Sequence, residues 1–169
     1  VMSETEKYLN RHYQRADRIM LPVFWLLFVV WLALFGWSGT LRWALLVGLP
    51  TAAVPTIMIF LSPGSLMTRS SVAAALMIFS GLHIHQAAGT TELHFGIFVL
   101  LAFLLVYRSW FVIVVAAAVI AVHHLSFNYL QEWGYGVLCF TKPGIGIVLV
   151  HAAYVVVEAA VLSCLAILM

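Results

Sequence analysis

Charge is what this sequence lacks: Asp, Glu, Lys and Arg make up 8% of its 169 residues, against 64% hydrophobic residues. A soluble domain carries about 25% charged residues. So little charge cannot cover a surface facing water, so the solvent over most of the length is lipid. Cysteine is nearly as scarce. Cys139 and Cys164 stand far apart with no CxxC spacing, which excludes a disulfide framework, an iron–sulfur cluster and covalently attached haem. The net charge of +2 is scattered, and no basic patch is long enough to track a nucleic-acid backbone. A Ser/His/Asp arrangement, a phosphate-binding glycine loop and HExxH are all missing, so no enzymatic activity is expected. Strand-like alternation of polarity is missing too, which excludes a β-barrel. The first apolar run has no small-residue cleavage site after it, unlike a signal peptide.

What is present is apolar length. Runs at 20–37, 43–61, 67–87, 92–107, 110–130 and 145–168 predict an all-α, polytopic membrane bundle of six transmembrane helices. Residues 3–19 are polar and predict a short juxtamembrane helix, leaving 20–169 as the transmembrane domain. Turns are expected at Ser38-Gly39-Thr40, Ser62-Pro63-Gly64-Ser65, Ala88-Gly89-Thr90, Arg108-Ser109 and from Gly134 to Gly144. Pro50 and Pro55 predict a kink in the second run. Trp25, Trp31, Trp37, Trp43, Trp110 and Trp133 sit near run ends, as an interfacial belt does. With six crossings, Lys7, Arg11, Arg15, Arg18, Arg69 and Arg108 share one side, against Arg42 and Lys142 on the other. The positive-inside rule then puts both termini in the cytoplasm.

The chemistry lies in seven histidines. His12 belongs to the polar head and is expected to be ordinary. The other six, His83, His85, His94, His123, His124 and His151, all fall in the outer halves of four different runs. At about 1.5 Å per residue, His83, His94, His124 and His151 share a layer roughly 5–10 Å below the outer turns. Glu92 lies two residues before His94. Glu158 follows His151 on the same helix face, about 10 Å deeper. A lone histidine at a membrane interface is usually hydrogen-bonded or faces headgroups. Six at one level point to a metal, because neutral imidazole is the commonest protein ligand.

His83, His94, His124 and His151 are therefore the first candidate ligands; His85, His123, Glu92 and Glu158 are further ligands or their orienting partners. His83 and His85 stand about 200° apart on a helix, and His123 and His124 about 100°, so only one of each pair can face a common centre. Nitrogen and carboxylate donors suit copper, with zinc and iron next. Cys139 is ranked behind them because it lies in a loop. Haem b between opposed histidines is the alternative cofactor, and a proton-sensing histidine cluster needs no metal. A transporter or a membrane oxidase with a histidine-bound di-iron centre is a further alternative, but the runs contain one deep acid and no polar path, and no HxxHH-type motif occurs.

The segments LHIHQ, TELHFGIFVLLAFLLVYRSWFVIVVAAAVIAVHHLSFNYLQEWGYGV and IVLVHAAYVVVE, with NRHYQRADRIMLPVFWLL at the entry, resemble the membrane sensor region of some bacterial methyl-accepting chemotaxis proteins. Related regions precede diguanylate cyclase domains. The resemblance implies a receptor input domain in the inner membrane, a homodimer, and a cytoplasmic signalling domain C-terminal to the last helix.

Overall fold

The computed structural model describes residues 3–38 and 41–169, apart from the side chains of 34–38, 41 and 44. Among these residues the fold is all-helical. Helix α1 is Glu4–Ser38. A short turn α2, Leu41–Trp43, leads through a π-helical segment, Ala44–Gly48, into α3, Leu49–Leu61. Helix α4 is Leu66–Gln86, and α5 is Thr91–Phe103 with a 3-10 continuation over Leu104–Tyr107. Helix α6 is Trp110–Glu132 and α7 is Ile145–Leu168. Four of them, α1, α4, α6 and α7, are long and apolar enough to cross a membrane, whereas Leu45–Leu61 and Thr91–Tyr107 are shorter apolar helices.

Helix α4 is the hub. Its most apolar stretch is 72% buried, against 22–33% for the corresponding stretches of α1, α6 and α7. It packs against α1, α3, α5 and α6. Val72, Ala73, Leu76, Met77 and Phe79 have no exposure and interlock with Phe24 of α1, Leu101 of α5 and Ile113 and Ala116 of α6. Small residues at Ala73 and Ala116 let these helix axes approach closely. The outward faces of α6 and α7 carry Val122, Leu149, Val156 and Ile167, all exposed. Such faces suit hydrocarbon and not water.

The irregular stretch before α3 has a local cause. Pro50 has no N–H to give, and its ring crowds the carbonyl one turn back. The helix absorbs this in the π-helical segment, so Pro50 falls in the first turn of α3, where its missing donor costs nothing. Gly48 lies against Trp31, whose ring atom Cζ3 would stand 2.5 Å from any added Cβ. Trp31 is thus fully buried and not part of an interfacial belt. The expected turn at Ser38-Gly39-Thr40 falls on Gly39 and Thr40, outside the described residues.

The polar head does not form a separate juxtamembrane helix. Helix α1 runs without a break past residue 19, and Pro22 does not interrupt it. Asp17, within that head, is fully buried. Its Oδ2 accepts from the Gly64 N–H at 2.6 Å, and its Oδ1 accepts from the Tyr107 hydroxyl at 2.8 Å. One carboxylate thereby joins the start of the bundle, the α3–α4 turn and the end of the α5 continuation. Gly64 has φ +76°, a left-handed conformation that glycine adopts without penalty. Nearby, the His12 ring nitrogen Nε2 bonds the Val106 carbonyl at 2.9 Å, and the Arg69 guanidinium lies 3.6 Å from the centre of the Tyr13 ring. Ser65 caps α4 by accepting from the Thr68 N–H. Two further connections, 87–90 and 133–144, meet each other at the far end: Gly89 abuts the Phe140 backbone and His85 bonds Leu138.

Replacing Asp17 with Ala strands two buried donors, so a loss of about 1–3 kcal/mol of stability is expected. Tyr107→Phe, which removes one hydroxyl and leaves the Gly64 bond, costs about 1 kcal/mol. Unfolding curves of the purified variants in one detergent, compared with wild type, check both the sizes and the order.

Candidate metal centre

Three helices each present one histidine to the same point. His94 comes from the first turn of α5, His124 from the middle of α6 and His151 from the second turn of α7. Ring centres lie 5.3 Å apart for His94 and His124, 4.8 Å for His94 and His151, and 5.8 Å for His124 and His151. Phe140 closes the group from the long connection, stacked on His94 at 5.5 Å.

All three rings are fixed in the same way. His94 Nδ1 bonds the Thr90 carbonyl at 3.0 Å, His124 Nδ1 the Ile120 carbonyl at 3.0 Å, and His151 Nδ1 the Ile147 carbonyl at 2.9 Å. In each case the partner is the residue one helical turn earlier. A carbonyl only accepts, so each Nδ1 carries the hydrogen and each Nε2 keeps its lone pair. The Nε2 atoms of His94 and His124 are buried with no hydrogen-bond partner. Buried polar atoms are almost always satisfied. Two unsatisfied lone pairs at the meeting point of three helices call for an electrophile.

Cys139 supplies a third donor. His94, His124 and Cys139, all buried, each offer one ligand atom, and these atoms lie within 4.8 Å of one another. This group could hold a metal ion. The connection is shaped to bring the thiol there. Gln131 Oε1 accepts from the Cys139 and Phe140 N–H groups, and its Nε2 donates to the Phe140 carbonyl at 2.6 Å. Asn128 Oδ1 accepts from the Gly144 N–H, and its Nδ2 donates to Glu132. Gly89, at φ +75°, leaves no room for a Cβ, which would stand 2.5 Å from the Phe140 carbonyl carbon. Burial pushes the Cys139 thiol up to about 12, so it is protonated near neutral pH until a metal displaces the proton.

The remaining candidates go elsewhere. His83 bonds the Leu27 carbonyl of α1 through Nε2 at 3.3 Å and lies against Phe79, so it ties α4 to α1. His85 accepts the Leu138 N–H at Nδ1, which puts its hydrogen on Nε2 and removes the lone pair a ligand needs there. His123 stacks on Phe127 at 4.2 Å, packs on Gly81 and approaches His124 only through Nδ1, at 3.4 Å. Only the second pair divides, with His124 facing the centre and His123 behind it; neither His83 nor His85 joins the close group. Glu92 is exposed, although it opens the same helix as His94. Glu158 is half-buried on α7, with one carboxyl oxygen buried and unpartnered. His151 faces the centre but stands outside the set of three close ligand atoms. Cys139, ranked low from the sequence, is inside it. Nothing in hydropathy signals that the connection folds back; the paired Asn128 and Gln131 near the end of α6 were the available hint.

Beside the three histidines runs a groove of about 540 Å³, lined by α5, α6 and α7. No Lys or Arg lines it. A haem would need a gap between opposed imidazoles and cations for its propionates. These rings are in mutual edge contact, so the donors suit a single ion better. Comparison with protein-family models, curated proteins and solved structures finds no match to this chain.

Metal uptake through Cys139 releases a proton. The apparent affinity of wild type should then rise about tenfold per pH unit around neutrality, and this rise should flatten in Cys139→Ser. Cobalt(II) titration checks it: the sulfur-to-cobalt charge-transfer band is expected in wild type and absent from Cys139→Ser.

Proposed function

We propose that this chain is the transmembrane sensor region of a bacterial receptor of the methyl-accepting chemotaxis class, and that it binds one copper ion at His94, His124 and Cys139. The observation that carries the reading is the shared tautomer. Nδ1–H is committed to a backbone carbonyl in each histidine, so a buried, unpartnered Nε2 is what His94 and His124 have left to offer, in a group whose ligand atoms lie within 4.8 Å of one another beside the Cys139 thiol. Two imidazoles and one sulfur suit copper first and zinc second. Iron fits less well once a thiol replaces the carboxylates.

In this reading all six helical rods cross the inner membrane, with both termini in the cytoplasm and the copper centre toward the periplasm. The pairing of connections at alternate ends supports it. The 62–65 turn meets the start of α1 through Asp17, while 87–90 meets 133–144. Copper acts on α7 through His151, whose ring touches that of His94. Helix α7 is the least buried long helix, so it can change its packing at the lowest cost. It leads toward a cytoplasmic signalling domain C-terminal to this chain, in a homodimer. Copper biases the two packings of α7 only by its difference in affinity for them.

Protein purified from copper-replete cells should carry about one copper per chain, and His94→Ala/His124→Ala should carry none. Fused to a methyl-accepting signalling domain, the wild-type region should alter swimming bias on copper addition, and His151→Phe should bind copper but lose that response. Copper at equal levels in wild type and the double variant would defeat the metal reading. A fusion that binds copper and never responds would defeat the receptor reading alone.

A further inference from the structure

The groove beside the histidines has properties that a metal centre does not require. It is about 540 Å³, within the range of about 300–1,000 Å³ that holds an organic ligand. Ile97, Val114, Ala118, Ala121, Val155 and Ala159 give it walls of hydrocarbon, and the alanines create the width. Val156 and Ile167 line it and are also 66% and 69% exposed, so the groove opens sideways through an apolar surface. A ligand would enter from the bilayer.

Polar atoms are few and unevenly placed. His94, His124 and His151 stand at one end, with Ser163 and Trp110 toward the other. His151 and Ser163 are twelve residues apart on α7, about 18 Å along the axis. The lining contains no Asp, Glu, Lys or Arg. An anionic head, as on a fatty acid or phospholipid, would be buried without a counter-charge, at a cost of several kcal/mol. The head must be neutral. It must also donate, because the Nδ1–H bond to Ile147 leaves His151 Nε2 with only a lone pair to offer. His151 lies outside the close set of ligand atoms, so it remains available with a metal in place. A flat aromatic head suits a site walled by three imidazole rings, and a phenol hydroxyl is a stronger donor than an alkanol.

We propose that the groove between α5, α6 and α7 binds a lipid-soluble phenol of the hydroquinone class, with its hydroxyl donated to His151 Nε2 and its apolar tail lying along the alanines toward Ser163. This site goes beyond the copper reading and does not rest on it. A membrane electron-carrier pool, present as hydroquinone or quinone, would be distinguished there by protonation, since only the reduced form carries the O–H. The proposal concerns binding alone.

The test uses the whole chain in nanodiscs, with decyl-hydroquinone kept reduced and its dimethyl ether as paired probes. Binding is read by quenching of Trp110 fluorescence, with Trp110→Phe as the blank. The hydroquinone should bind about tenfold tighter than the ether, the value of one buried hydrogen bond. His151→Phe should abolish that difference. Ala118→Trp, or Ala160→Phe if the first fails to fold, should weaken both probes. Equal binding of hydroquinone and ether to wild type would mean that the groove only holds a hydrocarbon chain, and would overturn the proposal. So would unchanged binding in the filled-groove variants. The experiment is run on copper-loaded and chelator-stripped protein. Hydroquinone preference in both samples is expected, and it stands whether or not copper is the native metal.

Discussion

The structure depends on one constraint: a polar atom inside this bundle has no water to turn to. Every buried donor and acceptor must find a partner in the chain, and the two ends of the molecule meet that demand differently. At one end Asp17 is saturated. Its two oxygens take a backbone N–H and a phenol hydroxyl, and the result is a lock on three segments. At the other end the demand is half met. Each of three imidazoles spends Nδ1–H on its own helix, and two leave Nε2 unspent. Trp31 Nε1, Arg69 Nε and Ser80 Oγ are also buried without a partner, but each stands alone, whereas His94 and His124 belong to one group of three close ligand atoms. Convergence, and not the lack of a partner alone, is what marks the histidine end as a candidate site.

The backbone bond one turn back does more than fix a tautomer. It fixes ring orientation as well, because Nδ1 must stay over its carbonyl. Helices that meet with their histidines at one height then bring the rings of His94 and His124 together beside Cys139 with little conformational entropy left to lose. A carboxylate partner would have made the same tautomer but would have brought a charge into the bundle. The backbone carbonyl supplies orientation at no such cost. Phe140 completes the arrangement by filling the space beside the rings with carbon.

Much of this was legible in the residues. Six apolar runs predict six membrane helices, of which four are long and apolar enough to cross, and counting depth along antiparallel runs brings His94, His124 and His151 to one level. Helical angle correctly divides His123 from His124. Depth fails for His83, because height says nothing about direction, and on α4 that residue faces α1. Asp17 was hidden for a related reason. A polar stretch reads as solvated, and only tertiary packing shows one of its acids facing inward. Cys139 was hidden most completely. Loop residues carry no periodicity, and its position is set by side chains from elsewhere: Gln131, Asn128, His85 and the bare backbone of Gly89.

Helix α7 is where these features meet. It carries His151 at the histidine end, borders the groove over most of its length, and holds Glu158 with an unpartnered oxygen near its middle. Yet it buries less of itself than any other long helix. It is held mainly by α6, and its polar groups are not all satisfied. Any ligand that engages His151, whether an ion beside it or a hydroxyl bonded to it, adds a term comparable to the interactions already holding α7. A central helix such as α4 could not respond in this way, because every shift would open voids against four neighbours. In the receptor reading proposed above, the responsive element is therefore the peripheral α7, with its ligand site on the inner face.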